Sequence, residues 1–94
     1  MEEQSKIELE IIAKKEAYSF YKNRLNEILE LKDMEVGQIY KKLKILKKSK
    51  KEQEYKALKK KYDKERLSTQ VIKEKIFILT EWLSELNNLL QGAK

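Results

Sequence analysis

The chain has no cysteine, no histidine and no proline, and only two glycines, Gly37 and Gly92. Each absence removes a class of chemistry. Without cysteine there is no disulfide framework to staple a small fold. Without histidine or cysteine there is no zinc site of the usual kind and no nucleophile paired with an imidazole base. Two glycines cannot supply a phosphate-cradling or dinucleotide-binding loop. Sandwiches and barrels need many turns, and turns draw on glycine and proline, so most β architectures are excluded too. Long apolar runs are also missing: the longest stretch free of charge is the eight residues from Leu86 to Ala93. A membrane-spanning helix needs roughly 20 apolar residues. The start, Met1-Glu2-Glu3-Gln4, is acidic and does not read as a secretory leader, and a cytoplasmic protein is expected.

What the 94 residues do contain is charge and hydrophobicity in equal parts, 40% each, with a mean hydropathy of −0.78. This is the composition of one small domain made of amphipathic helices. Two sequences fit the serine capping box, Ser5-Lys6-Ile7-Glu8 and Ser49-Lys50-Lys51-Glu52. Gly92 follows the apolar pair Leu89-Leu90, where a helix-terminating glycine belongs. The expectation is a single all-α domain over residues 1–94, with helix 1 at about 5–47, a turn at about 48–50, and helix 2 at about 50–91.

The apolar spacing specifies how these helices pair. In the second half Tyr55, Leu58, Tyr62, Glu65, Thr69, Ile72, Ile76, Leu79, Leu83, Leu86 and Leu90 alternate steps of three and four. In the first half Leu25, Leu29, Lys32, Val36, Ile39, Leu43 and Leu46 obey the same rule. Towards the N-terminus the stripe drifts to Ile7, Ile11, Lys14, Tyr18 and Tyr21, the pattern of a coiled-coil stutter. Folding the chain at residue 50 sets Leu46 against Tyr55, Leu43 against Leu58, Ile39 against Tyr62 and Leu29 against Ile72. The polar members Lys32, Glu65 and Thr69 then fall in adjacent layers. This mirrored pattern predicts a long antiparallel helical hairpin, coiled-coil-like. Asp33 and Gly37 could break helix 1, but the unbroken phase from Leu29 to Leu46 argues for continuity.

The two ends of such a hairpin differ. At the open end Ile12, Ala13, Ala17 and Phe20 flank one stripe, and Val71, Phe77, Ile78, Trp82 and Leu89 flank the other. An apolar stripe wider than one seam belongs to a bundle helix, and a scaffold this small seldom builds an adequate core alone. A homodimeric four-helix bundle is therefore expected, with Phe20, Tyr21, Phe77, Ile78, Trp82 and Leu89 at the dimer interface. A groove that captures a helix from a partner protein is the alternative use of this end. At the turn end, Tyr40 to Arg66 holds twelve lysines and one arginine against four acids, a net +9, whereas the remaining residues sum to −3. Lys41, Lys44, Lys47, Lys48, Lys50, Lys51, Lys56, Lys59 and Lys60 are the candidate contacts to nucleic acid or another anionic surface. The plain alternative is a solvated face, the usual fate of a lysine run. Among the tyrosines of this segment, Tyr55 and Tyr62 have core spacing and Tyr40 is the exposed one.

Acidic pairs at helical spacing, Glu27/Glu30 and Glu81/Glu85, lack the histidine that a di-metal bundle site uses. No catalytic residue, metal or cofactor is expected. The reading is a non-enzymatic interaction or assembly protein that homodimerises through its apolar end and presents a basic tip. Its alternatives are a sequence-nonspecific nucleic-acid-binding accessory protein and a chaperone or adaptor for a client helix.

Overall fold

The computed structural model describes residues 2–92 as two α-helices joined by a tight turn: α1, Glu2–Lys48, and α2, Glu52–Gly92. The hairpin expected from the mirrored spacing is present. Neither helix is apolar enough over a sufficient length to cross a membrane. α1 runs unbroken through Asp33–Gly37. Gly37 has no positive φ, and a Cβ there would meet nothing within 4 Å. The glycine is an ordinary helical residue that costs ~1 kcal/mol relative to alanine without interrupting the helix.

The helix ends depart from the sequence expectations. α1 already includes Glu2, so Ser5 lies within its opening turns and is not its cap. Gly92 closes α2 without a left-handed φ. The turn itself is built on the C-terminus of α1, not on a cap for α2. Lys50 adopts φ 57°, the left-handed region. The Lys51 N–H donates to the Leu46 carbonyl at 3.3 Å and the Lys50 N–H to the Lys47 carbonyl at 3.4 Å. That pair of bonds is a Schellman motif with lysine where glycine is preferred. The Ser49 hydroxyl donates back to the Ile45 carbonyl at 2.9 Å, so Ser49 finishes α1. α2 begins later than expected: the Tyr55 N–H donates to the Lys51 carbonyl at 3.0 Å, and Lys51 opens the helix. Lys47 and Lys48 in the last turn of α1, and Glu52 and Glu54 in the first turn of α2, complement the two helix dipoles.

The chain divides into two compact units. One is the turn unit, residues 27–73; the other joins the residues through Asn26 with those from Glu74 onward. In the turn unit the seam follows the expected positions. Ile39, Leu43 and Ile72 are buried, with Leu29, Val36, Leu46, Tyr55, Leu58 and Tyr62 half-buried. The polar interruptions satisfy one another. Lys32 Nζ donates to Glu65 Oε2 at 3.1 Å, and the buried Thr69 hydroxyl donates to the Glu65 carbonyl at 2.9 Å. One polar layer is thus completed within the seam, as burial of polar groups requires.

In the other unit Ile76, Leu79, Leu83 and Leu90 are half-buried, and Leu86 is the one buried hydrophobic residue among those described. The stutter expected in α1 is absent. Glu8, Ile11, Lys15, Tyr18, Lys22 and Leu25 are less exposed and continue the same alternation of three and four, with Ser19 half-buried beside Tyr18. Ile7, Lys14 and Tyr21 are exposed instead. Lysine's aliphatic stem can line a seam while its ammonium stays in water, so Lys15 and Lys22 hold the positions that the spacing from Ile7 assigned to Lys14 and Tyr21.

Candidate functional site

Each unit carries one surface with functional potential. In the unit holding Leu86, shifting the seam by one residue releases Tyr21 onto the flank. There Tyr21, Leu25, Ile78, Leu79, Trp82 and Lys75 enclose an open groove of ≈ 380 Å³. The Trp82 ring lies 5.4 Å from that of Tyr18, tilted by 47°, so the seam braces the indole from one side. Its other surface is uncovered: Trp82 is 46% exposed and Tyr21 60%. Leu89, seven residues beyond Trp82, returns to the same face of α2 after two turns.

Of the six residues expected at a dimer interface, the groove brings together Tyr21, Ile78 and Trp82. Leu89 extends their face, and Phe20 borders it, its ring 6.3 Å from that of Tyr21. Phe77 does not belong there. Five residues separate it from Trp82, which at about 100° per residue turns it to another side of α2. It is 56% exposed on that side. Phe77 therefore lies outside the groove that holds Tyr21, Ile78 and Trp82.

In the turn unit the lysines are divided among three settings. Lys44, Lys47 and Lys59 line a groove of ≈ 230 Å³ with Tyr40, Tyr55 and Tyr62. Lys47, Lys50, Lys51 and Lys56 line an adjoining one of ≈ 490 Å³ at the turn. Lys41, Lys48 and Lys60 are exposed and line neither. Within the first groove the rings of Tyr40 and Tyr62 lie 6.1 Å apart, tilted by 33°. Lys44 Nζ stands 4.7 Å from the centre of the Tyr40 ring, and Lys59 Nζ 5.0 Å from that of Tyr62. Arg66 Cζ lies 5.7 Å from the Tyr62 ring, a cation–π contact. Lys59 also pairs with Asp63 at 3.4 Å.

Arg66 was counted in the basic segment but not singled out as a site residue. Its signal was present, since Tyr62/Arg66 and Tyr40/Lys44 both have the i,i+4 spacing that brings helical side chains together. Tyr62 is half-buried at its seam position, as expected, yet its ring also contributes to the surface groove. Leu31, Met34, Ile45 and Leu67 lie off the seam spacing and stand exposed in the turn unit. Among the described residues no cluster of acidic side chains is arranged to hold a metal ion. Comparison with known protein families, with characterised proteins and with solved structures gives no match.

Proposed function

We propose that this chain is a non-enzymatic assembly protein. It pairs with a second copy of itself through the Tyr21–Ile78–Trp82 face, forming a four-helix bundle, and it offers its basic turn unit to an anionic partner. The observation that carries this reading is uncovered surface. The chain leaves 8033 Å² accessible, whereas a folded monomer of 11.3 kDa is expected to expose about 5,700 Å². No described side chain is fully buried. A standard protein interface covers about 800 Å² on each partner, well within that excess. The face around Trp82 supplies what an interface core is enriched in, aromatic residues with few charges.

A second copy is the favoured occupant because it brings the same aromatic face, and a two-fold pairing needs a surface complementary to itself. Light scattering after gel filtration tests the reading. A mass about twice 11.3 kDa at micromolar concentration is expected. A helical species that stays monomeric at all accessible concentrations would contradict the pairing and leave the groove to a foreign helix.

A further inference from the structure

We infer that the face of the turn unit carrying Tyr40 and Tyr62 is a binding site for single-stranded nucleic acid, with Tyr40 as a stacking platform and Lys44, Lys47 and Lys59 as phosphate contacts. This inference rests on the reading of the turn unit as a surface for an anionic partner and names that partner's class. It does not depend on the dimer.

Two features of the face point beyond charge alone. A surface meant only for acidic protein or for lipid headgroups needs cations and no rings. Here the cations surround a pair of tyrosines 6.1 Å apart, and two of the lysines stand within 5.0 Å of a ring centre. Tyr40 has no place in the seam, yet it holds its ring against that of Tyr62 and remains 48% exposed. An aromatic ring held in place beside cations is the combination used to bind single strands, where bases stack on side chains and the backbone follows positive charge.

The geometry also separates a single strand from a duplex. In a duplex the flat faces of the bases are stacked on one another, so a ring on a helix surface finds no partner, and only the lysines would contribute. A single strand exposes both a base face and its phosphates. Tyr40, Lys44 and Lys47 follow one another on α1 at steps of four and three, which places neighbouring side chains about 5–6 Å apart at Cβ. Lys59 lines the same groove from α2, and Arg66 adds positive charge over the Tyr62 ring. Lysine acts as a point charge and does not read base edges, so recognition is expected to be indifferent to sequence.

The test uses the full chain and fluorescence anisotropy with a labelled oligothymidylate of about twenty nucleotides. A duplex of the same length and polyglutamate serve as comparison ligands. The single strand should bind more tightly than the duplex at the same salt. Tyr40→Ala should weaken single-strand binding roughly 5- to 150-fold, the range for loss of one stacked base, with helicity unchanged by circular dichroism. Tyr40→Phe, which keeps the ring, should retain most of the affinity. Changing Lys44 and Lys47 together to glutamine should reduce the slope of log affinity against log salt by about 1.4, at about 0.7 per phosphate on a single strand. Equal affinity for duplex and single strand, or a Tyr40→Ala variant that binds like the parent, would overturn the stacking site. Binding of polyglutamate without binding of the oligonucleotide would overturn this inference while leaving the anionic-partner reading standing. If neither polymer binds at low salt, both fail.

Discussion

Replacing Lys50 with glycine should make the protein more stable, although it removes a side chain and adds none. Lys50 holds φ 57° because the Schellman turn requires a left-handed residue between α1 and α2. For a residue with a Cβ that conformation costs about 1–2 kcal/mol. Glycine adopts it freely but gives back part of the gain through its larger unfolded-state entropy, about 0.5–1 kcal/mol. A net gain of about 1 kcal/mol per chain is expected, and for a domain of this length that corresponds to roughly 4–8 °C in melting temperature. Thermal melts by circular dichroism at one fixed protein concentration would measure it, since melting of an associating protein depends on concentration. A Lys50→Ala control separates the two causes that could act here. Alanine keeps the backbone penalty and removes the charge from a turn already crowded by Lys47, Lys48 and Lys51. If the φ angle is responsible, alanine should give little of the glycine gain. Equal stabilisation by alanine and glycine would refute the conformational argument and attribute the effect to relief of repulsion among the lysines.

Gly37→Ala should stabilise α1 by ~1 kcal/mol, because its Cβ would meet nothing within 4 Å; a loss in chemical denaturation would mean that the position is more crowded than the backbone shows. Lys32 and Glu65, joined at 3.1 Å with side chains 28% and 23% exposed, should show a coupling of about 0.5–1 kcal/mol in a double-mutant cycle to leucine, and a coupling of zero would reduce the pair to two independent residues. Trp82→Ala should weaken self-association by ~2–4 kcal/mol, the range for a large aromatic anchor at an interface, as read by sedimentation equilibrium; an unchanged association constant would remove Trp82 from the contact.

Much of this fold is legible in the spacing of apolar residues. Every seam position assigned in α2 is buried or half-buried, and so is every one from Leu25 to Leu46 in α1. The polar interruptions were legible as well, because Lys32, Glu65 and Thr69 fall in neighbouring layers only if the chain reverses near residue 50. The helix ends and part of the seam were misread, each for a physical reason. The seam through Lys15 and Lys22 was missed because the phase was set by the apolar Ile7 and Tyr21, which gave Lys14 the place that Lys15 holds, while the apolar stem of Lys22 was not counted. Ser49 matched a capping box, yet its hydroxyl was taken by the Ile45 carbonyl four residues back, a local alternative always open to serine. Phe77 was grouped with Ile78 and Trp82 because all three are large and apolar; helical geometry sets it on another side of α2. The aromatic cluster at Tyr40 was only half visible. Its i,i+4 cations can be read along one helix, but the approach of the Tyr62 ring comes from the other.

The proposed pairing requires a second copy of the chain to cover the face of Tyr21, Ile78 and Trp82. Because the sequence has no cysteine, a single introduced thiol reports on its own position without interference. The most direct measurement compares the reactivity of Ile78→Cys with that of Phe77→Cys towards a thiol reagent over a range of protein concentrations. The two positions are neighbours in sequence and face different sides of α2. If the account holds, the thiol at 78 slows markedly as concentration rises through the dissociation constant, while the thiol at 77 reacts at one rate throughout. Rates at both positions that do not change with concentration, or protection at 77 in place of 78, would contradict it.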